Sequence, residues 1–134
     1  MSDELTEKII GAAIEVHRIL GPGLLESIYE EALCVELGER GLGFARQVEI
    51  VINYKGREIK GQRLDLLIEG QVIVELKFLS NLPEIAMSQV LSYLKATGLK
   101  RALLVNFGCK RLVDGIKRVS LSSISSSSSL CGPL

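Results

Sequence analysis

A mixed α/β domain is the fold class that the sequence predicts, with helices on the faces of one mixed sheet in the order α-α-β-β-β-α-β and a possible extra edge strand. Three observations predict it. Apolar residues recur every three or four positions over the first forty residues, alternate with polar ones from Phe44, and return to helical spacing from Asn81 before a short apolar run.

The first helix is read from "DELTEKIIGAAIEVHRIL", where Leu5, Ile9, Ala12, Val16 and Ile19 form the apolar stripe and Ser2 or Asp3 supplies the N-cap. It runs to about Leu20, and Gly21-Pro22-Gly23 breaks it. A second helix follows in "LLESIYEEALCVELGER", turning Leu25, Ile28, Ala32, Val35 or Cys34, and Leu37 inward before Gly41 stops it. Val48, Ile50, Ile52 and Tyr54 then alternate with polar residues, and Gly56 and Gly70 punctuate a three-strand meander. "NLPEIAMSQVLSYLKATG" is a third helix with Pro83 in its first turn and Gly98 at its stop, and "RALLVNF" is a buried strand. "KRLVDGIKRVS" supplies the possible edge strand. The domain is expected to span residues 1–120, leaving 121–134 as a serine-rich, disordered tail whose composition cannot offset its ordering entropy.

Composition narrows the function classes. With 134 residues, 47% of them hydrophobic, there is apolar mass for one core. Sixteen basic residues balance sixteen acidic ones, so contact with a polyanion has to come from a local patch. Cys34, Cys109 and Cys131 are odd in number, far apart and joined by one histidine, which supports neither a disulfide framework nor a zinc site and fits a reducing cytoplasm. An acidic N-terminus and the lack of a long apolar run predict a protein neither exported nor embedded in a membrane.

The chemistry concentrates in "GQRLDLLIEGQVIVELKF". With Glu69, Gly70 and Gln71 as the loop, Asp65 lies opposite Glu75. Alternation then places Asp65, Glu75 and Lys77 on one face, and Leu64, Leu66, Ile68, Val72, Val74, Leu76 and Phe78 on the other. Two carboxylates about 5 Å apart repel by roughly 3 kcal/mol at an effective dielectric of about 20. A divalent cation such as Mg²⁺ offsets that charge with hard oxygen ligands, and one lysine offsets only part of it. The alternative on the hairpin alone is an exposed lysine–carboxylate network.

Asp-x9-Glu-x-Lys across a hairpin, with a helix before and a helix and strand after, resembles the PD-(D/E)XK nuclease superfamily. Upstream, Gly23, Glu26 and Tyr29 stand at the spacing of its GxxExxY branch, and "SQVLSYLKATG", "LLVNFG" and "DGIKRV" follow in order. The resemblance spans about residues 5–120 and implies a restriction-endonuclease-like core and a Mg²⁺- or Mn²⁺-dependent nuclease acting on nucleic acid, DNA rather than RNA. The alternative is a catalytically idle domain of this fold that binds nucleic acid or protein, and small nucleases of the fold often act as dimers. In such sites Asp65, Glu75 and the main-chain carbonyl of Leu76 would hold the metal, while Lys77 would orient or activate water. Glu26 would add a third carboxylate, with a helix N-terminal charge as its structural alternative. Gln89 would support Lys77 or the phosphate, and Tyr29, Tyr93 and Arg63 are candidate substrate or supporting residues. Two positions depart from the pattern: Leu64 stands where proline precedes the aspartate, and Ala86 where relatives often carry histidine. His17 receives no catalytic role, "GPG" lacks the lysine of a phosphate-binding loop, and Lys110, Arg111, Lys117 and Arg118 read equally as a phosphate contact or a solvated strand.

Overall fold

The computed structural model describes residues 3–121. Helices α1 (Glu4–Leu20) and α2 (Glu26–Glu39) come first, followed by strands β1 (Phe44–Tyr54), β2 (Arg57–Ile68) and β3 (Val72–Lys77), helix α3 (Glu84–Thr97), and strands β4 (Arg101–Asn106) and β5 (Ile116–Ser120). The five strands lie in chain order in one sheet, antiparallel except where β3 runs parallel to β4. A 3-10 turn (Leu112–Gly115) introduces β5, the expected edge strand. The serine-rich segment lies outside the described residues.

The sheet separates two apolar clusters. One packs α1 and α2 against Leu66, Ile68, Val72, Val74, Leu76, Leu103 and Val105. The other packs α3 against Ile50, Leu64, Ile73, Ala102, Leu104 and Val119. Asp3 caps α1, accepting from the Thr6 amide, and Pro83 occupies the N-cap of α3 rather than its first turn. A proline there forgoes an amide that would have had no intrahelical partner.

Three details of the expected core differ. On α1 the buried stripe passes through Ile9, Ala13 and Val16 toward Leu20, which leaves Ile19 exposed, because 3.6 residues per turn rotates a three-and-four series off the contact line. On α2 the buried line is Tyr29, Leu33 and Leu37 with Cys34, while Leu25, Ile28 and Val35 face outward. The cause is aromatic packing: the Tyr29 ring stacks on Phe107 at 5.0 Å and meets Phe78 at 5.8 Å, setting the rotation of the helix. Leu64 packs on the α3 side, not with Leu66, because β1 and β2 twist about Gln47, whose φ is +50°. The ladder pairs Arg46 with Leu66 and Val48 with Leu64, so the face changes there without a shift in register.

His17 is a satisfied core residue, its Nε2 3.0 Å from the Cys109 carbonyl and its ring stacked on Phe107. Asn106 at the end of β4 is fully buried. Its amide donates to the Leu79 carbonyl at 2.9 Å, and its carbonyl accepts from the Leu79 amide at 2.9 Å and the Gly108 amide at 3.0 Å. With the Phe107 amide donating to the Lys77 carbonyl, this holds the segment after β3 against β4 and so fixes the backbone at Lys77. Asn106→Ala removes these three hydrogen bonds and a weaker one to Cys109 Sγ at 3.5 Å, and is expected to cost about 2 to 4 kcal/mol in denaturant unfolding. A loss below about 1 kcal/mol would show that water replaces the side chain.

Candidate active site

The site forms where the sheet divides. The hairpin turn carries positive φ at Glu69 and Gly70 and sets the expected register, with Ile68 opposite Val72 and Leu66 opposite Val74. The ladder between β2 and β3 ends there. β2 continues with β1 only, and β3 runs on beside β4 to Lys77. Asp65 and Glu75 stand at this fork, each bonded to the other strand's backbone. Asp65 Oδ2 accepts the Leu76 amide at 2.8 Å, and Glu75 Oε1 accepts the Asp65 amide at 3.3 Å. Two carboxylates thus satisfy main-chain amides at the point where the ladder stops.

Around them, Lys77 Nζ donates to Gln89 Oε1 on α3 at 2.8 Å. Tyr93, one turn further along α3, is buried and its hydroxyl accepts from Gln62 Nε2 at 2.7 Å. Burial, first of all, raises the pKa of Glu75 to about 7, and the charge of Asp65 adds to the shift while the Asp65 amide and Lys77 oppose it. Asp65 is raised as well, chiefly by burial and further by Glu30, against the Leu76 amide, Lys77 and Gln47. Tyr93 is pushed up to about 12 by burial and by the two carboxylates. Burial, more than any charged neighbour, holds each of these acids above its usual range.

Of the residues singled out in the sequence, Asp65, Glu75, Lys77 and Gln89 converge, and Tyr93 lies beside them. The Leu76 side chain is in the α1/α2 core, and its amide faces Asp65. Glu26 stands exposed at the first position of α2 and bonds to neither acid. The carboxylate that α2 sends toward the site is Glu30. Arg46 donates to it at 3.0 Å and Gln47 at 3.4 Å, and its charge acts on Asp65. Tyr29 belongs to the core, where its hydroxyl donates to the Gly21 carbonyl and accepts from the Leu24 amide, pinning the Gly-Pro-Gly turn. Arg63 is exposed and donates to the Gln47 carbonyl at 3.4 Å. Ala86 is buried among the α3 cluster. Arg118 is tied to Glu7 at 2.7 Å, whereas Lys110 and Arg111 are exposed.

Glu30, Gln47 and Gln62 escaped the sequence reading. Glu30 lies one turn from Glu26, so only the rotation of α2 chooses between them. Gln47 and Gln62 carry no spacing signal, and their positions depend on the twist of β1 and β2.

A metal ion suits this donor set. Asp65 and Glu75 are hard oxygen ligands crowded in a half-enclosed fork with a single lysine, and burial, joined by the charge of a neighbouring carboxylate, raises the proton affinity of both. Among the described residues no three His, Cys, Asp or Glu side chains are grouped for a metal, so the remaining ligands would be main-chain oxygen and water.

Comparison with known families assigns the chain to a superfamily. A family model for the PD-(D/E)XK nuclease superfamily matches residues 3–119. The chain belongs to the PD-(D/E)XK nuclease superfamily. A solved structure titled "Crystal structure of SSO0001" aligns with a TM-score of 0.46 and 17% identity, covering 98% of this chain and 78% of that one. Comparison with curated proteins finds no match.

The raised Glu75 has a signed consequence for the metal-free protein. Folded Glu75 keeps its proton to about pH 7 and the unfolded residue only to about 4.5, so between those values the folded state binds more protons. Its contribution is complete below about pH 4.5 and is lost as pH rises through 7, on the order of 3 kcal/mol. Asp65 acts in the same sense from lower pH. Urea unfolding of Glu75→Gln across pH 4.5 to 8 should show a much flatter profile than wild type; identical slopes would refute the assignment.

Proposed function

We propose that the protein is a metal-dependent nuclease that hydrolyses phosphodiester bonds in nucleic acid, DNA in preference to RNA. The observation that carries this reading is the convergence of Asp65, Glu75 and the Gln89-held Lys77 at the sheet fork. Gly23, Glu26 and Tyr29 support membership of the GxxExxY branch. Among the described residues Cys34 and Cys109 are free thiols, in accord with a reducing cytoplasm, and no helix is long and apolar enough to cross a membrane.

Mg²⁺ or Mn²⁺, held by Asp65, Glu75 and the Leu76 carbonyl, would supply Lewis-acid stabilisation of phosphate charge. Hydrolysis bonds a water oxygen to phosphorus and expels the ester oxygen, which takes up a proton. Lys77 gives one N–H to Gln89, which leaves its other donors to orient the water and to offset charge on the phosphate oxygens. Gln89 sets the direction of that ammonium, and the Asn106 clamp sets the backbone from which it extends. The fork restricts solvent around Glu75, so charge interactions there are stronger than on an open sheet.

The metal comes first in testing. Millimolar Mg²⁺ or Mn²⁺ should raise the melting temperature of the wild type, and Asp65→Asn should remove most of that rise while leaving the metal-free protein about as stable, because asparagine still offers an oxygen to the Leu76 amide. Asp65→Ala leaves that amide without its partner and should cost about 1 to 3 kcal/mol. Calorimetry that detects no metal binding would remove the basis for catalysis.

Lys77 separates chemistry from binding. In single-turnover assays against labelled DNA and RNA, Lys77→Ala should lower the cleavage rate by about 10² to 10⁴ while calorimetric metal binding persists. Equal rates would assign the cleavage to another site, and binding without cleavage under every metal would favour an idle domain of the same fold.

A further inference from the structure

Beyond the fork, β1 and β2 continue as a two-stranded ribbon. Arg57 lies about 25 Å of extended strand from Asp65, on the side of the sheet where β3 and β4 end. Every residue from Ile52 to Arg63 is exposed, including Ile52, Tyr54 and Ile59. A bare ribbon is marginal by itself, and this one is anchored only at its root, where Ile50 is buried under α3 and Gln62 bonds to Tyr93. Its tip is a tight turn with positive φ at Lys55 and Gly56.

The charge of this segment differs from that of the chain. Overall the charges cancel, yet the ribbon carries Lys55, Arg57, Lys60 and Arg63 against a single acid, Glu58, beyond Glu49. Elsewhere Arg18, Arg40, Arg46, Arg101 and Arg118 are each tied to a carboxylate. Among the described residues the four ribbon cations form no ion pair, and Lys55 lies 5.5 Å above the Tyr54 ring. An exposed, unneutralised cationic ribbon rooted two residues from a phosphodiester-cleaving site has the chemistry of a polyanion grip.

We propose that residues 51–63 form a substrate-holding arm that lies in the major groove of a DNA duplex and presents the adjacent strand to the fork. The proposal rests on the nuclease reading for the site beside it. The major groove of B-form DNA, about 12 Å wide, admits a two-stranded ribbon, whereas the major groove of an RNA duplex is too deep and narrow to receive one. The arm therefore selects duplex DNA by shape and charge, and its exposed Tyr54 and aliphatic residues face the groove walls.

The test is binding of labelled DNA and RNA duplexes of about 24 base pairs to the full chain, in wild-type and in Lys77→Ala protein, over a range of salt. A variant carrying Lys55→Asn, Arg57→Gln and Lys60→Gln should bind the DNA duplex about 10²-fold more weakly near 0.1 M salt, with the slope of log K against log salt reduced by about 2 to 3. Lys55→Asn alone should lose a share of the affinity with no loss of melting temperature, since asparagine-glycine favours this turn and any loss then reflects charge. DNA affinity and slope equal to wild type in the triple variant would overturn the arm, as would sedimentation showing that the ribbon mediates self-association while DNA binding is unchanged. Ribbon-dependent DNA binding with no cleavage under any metal would support the arm and remove the nuclease reading; cleavage with ribbon-independent binding would do the reverse.

Discussion

The crossed pair of bonds at the fork, the Leu76 amide to the Asp65 carboxylate and the Asp65 amide to the Glu75 carboxylate, is the constraint on which the rest of the site depends. Where two antiparallel strands part, their inward backbone groups need new partners, and at this fork the acids of each strand supply them to the other. The same bonds hold both carboxylates in a buried place, which raises the proton affinity of each, and bring the charge of Asp65 close enough to raise that of Glu75 further. Closing the end of a ladder and assembling a strongly anionic pocket are therefore a single structural event. An uninterrupted hairpin would have placed the same acids on an open pleat, where water screens them.

The elements around the fork hold it in place from different directions. β4, through Asn106 and the Phe107 amide, fixes the chain leaving β3, so Lys77 extends from a defined backbone. α3 supplies Gln89 and Tyr93 from successive turns of one face, the first directing the lysine and the second anchoring the root of the β1–β2 ribbon through Gln62. α2, rotated by the packing of Tyr29 on Phe107, turns Glu30 toward Arg46 and Gln47 and sets the electrostatic background of Asp65. The aromatic cluster thus affects the site without touching it.

The twist of β1 and β2 at Gln47 connects the core to the fork. Arg46 and Leu66 face α2 while Val48 and Leu64 face α3, so the pair of strands changes sides as it passes Asp65. A residue with φ of +50° is costly for a side chain other than glycine, asparagine or aspartate. Here that conformation is accompanied by hydrogen bonds from Arg63 to the Gln47 carbonyl and from the Gln47 side chain to Glu30. Strain and pairing occur together at the point where the acids need to leave the plane of the sheet.

By itself the sequence determined the order of elements, the hairpin register and the acid pair, because these follow from local signals: period, turn glycines, and side chains alternating about a loop of known length. Asp65, Glu75 and Lys77 were legible for that reason, whereas Gln89 was singled out only through the resemblance to related nucleases. Only the tertiary structure decided the rotation of α1 and α2, which exposed Ile19, Leu25, Ile28 and Val35, buried Tyr29 and brought Glu30 rather than Glu26 toward the fork. It also decided the side to which Leu64 turns, the clamp by Asn106, and the departure of β2 from β3. These depend on which surfaces meet across the core, and on strands separated in sequence competing for the same backbone partners. No periodicity within one segment records that competition.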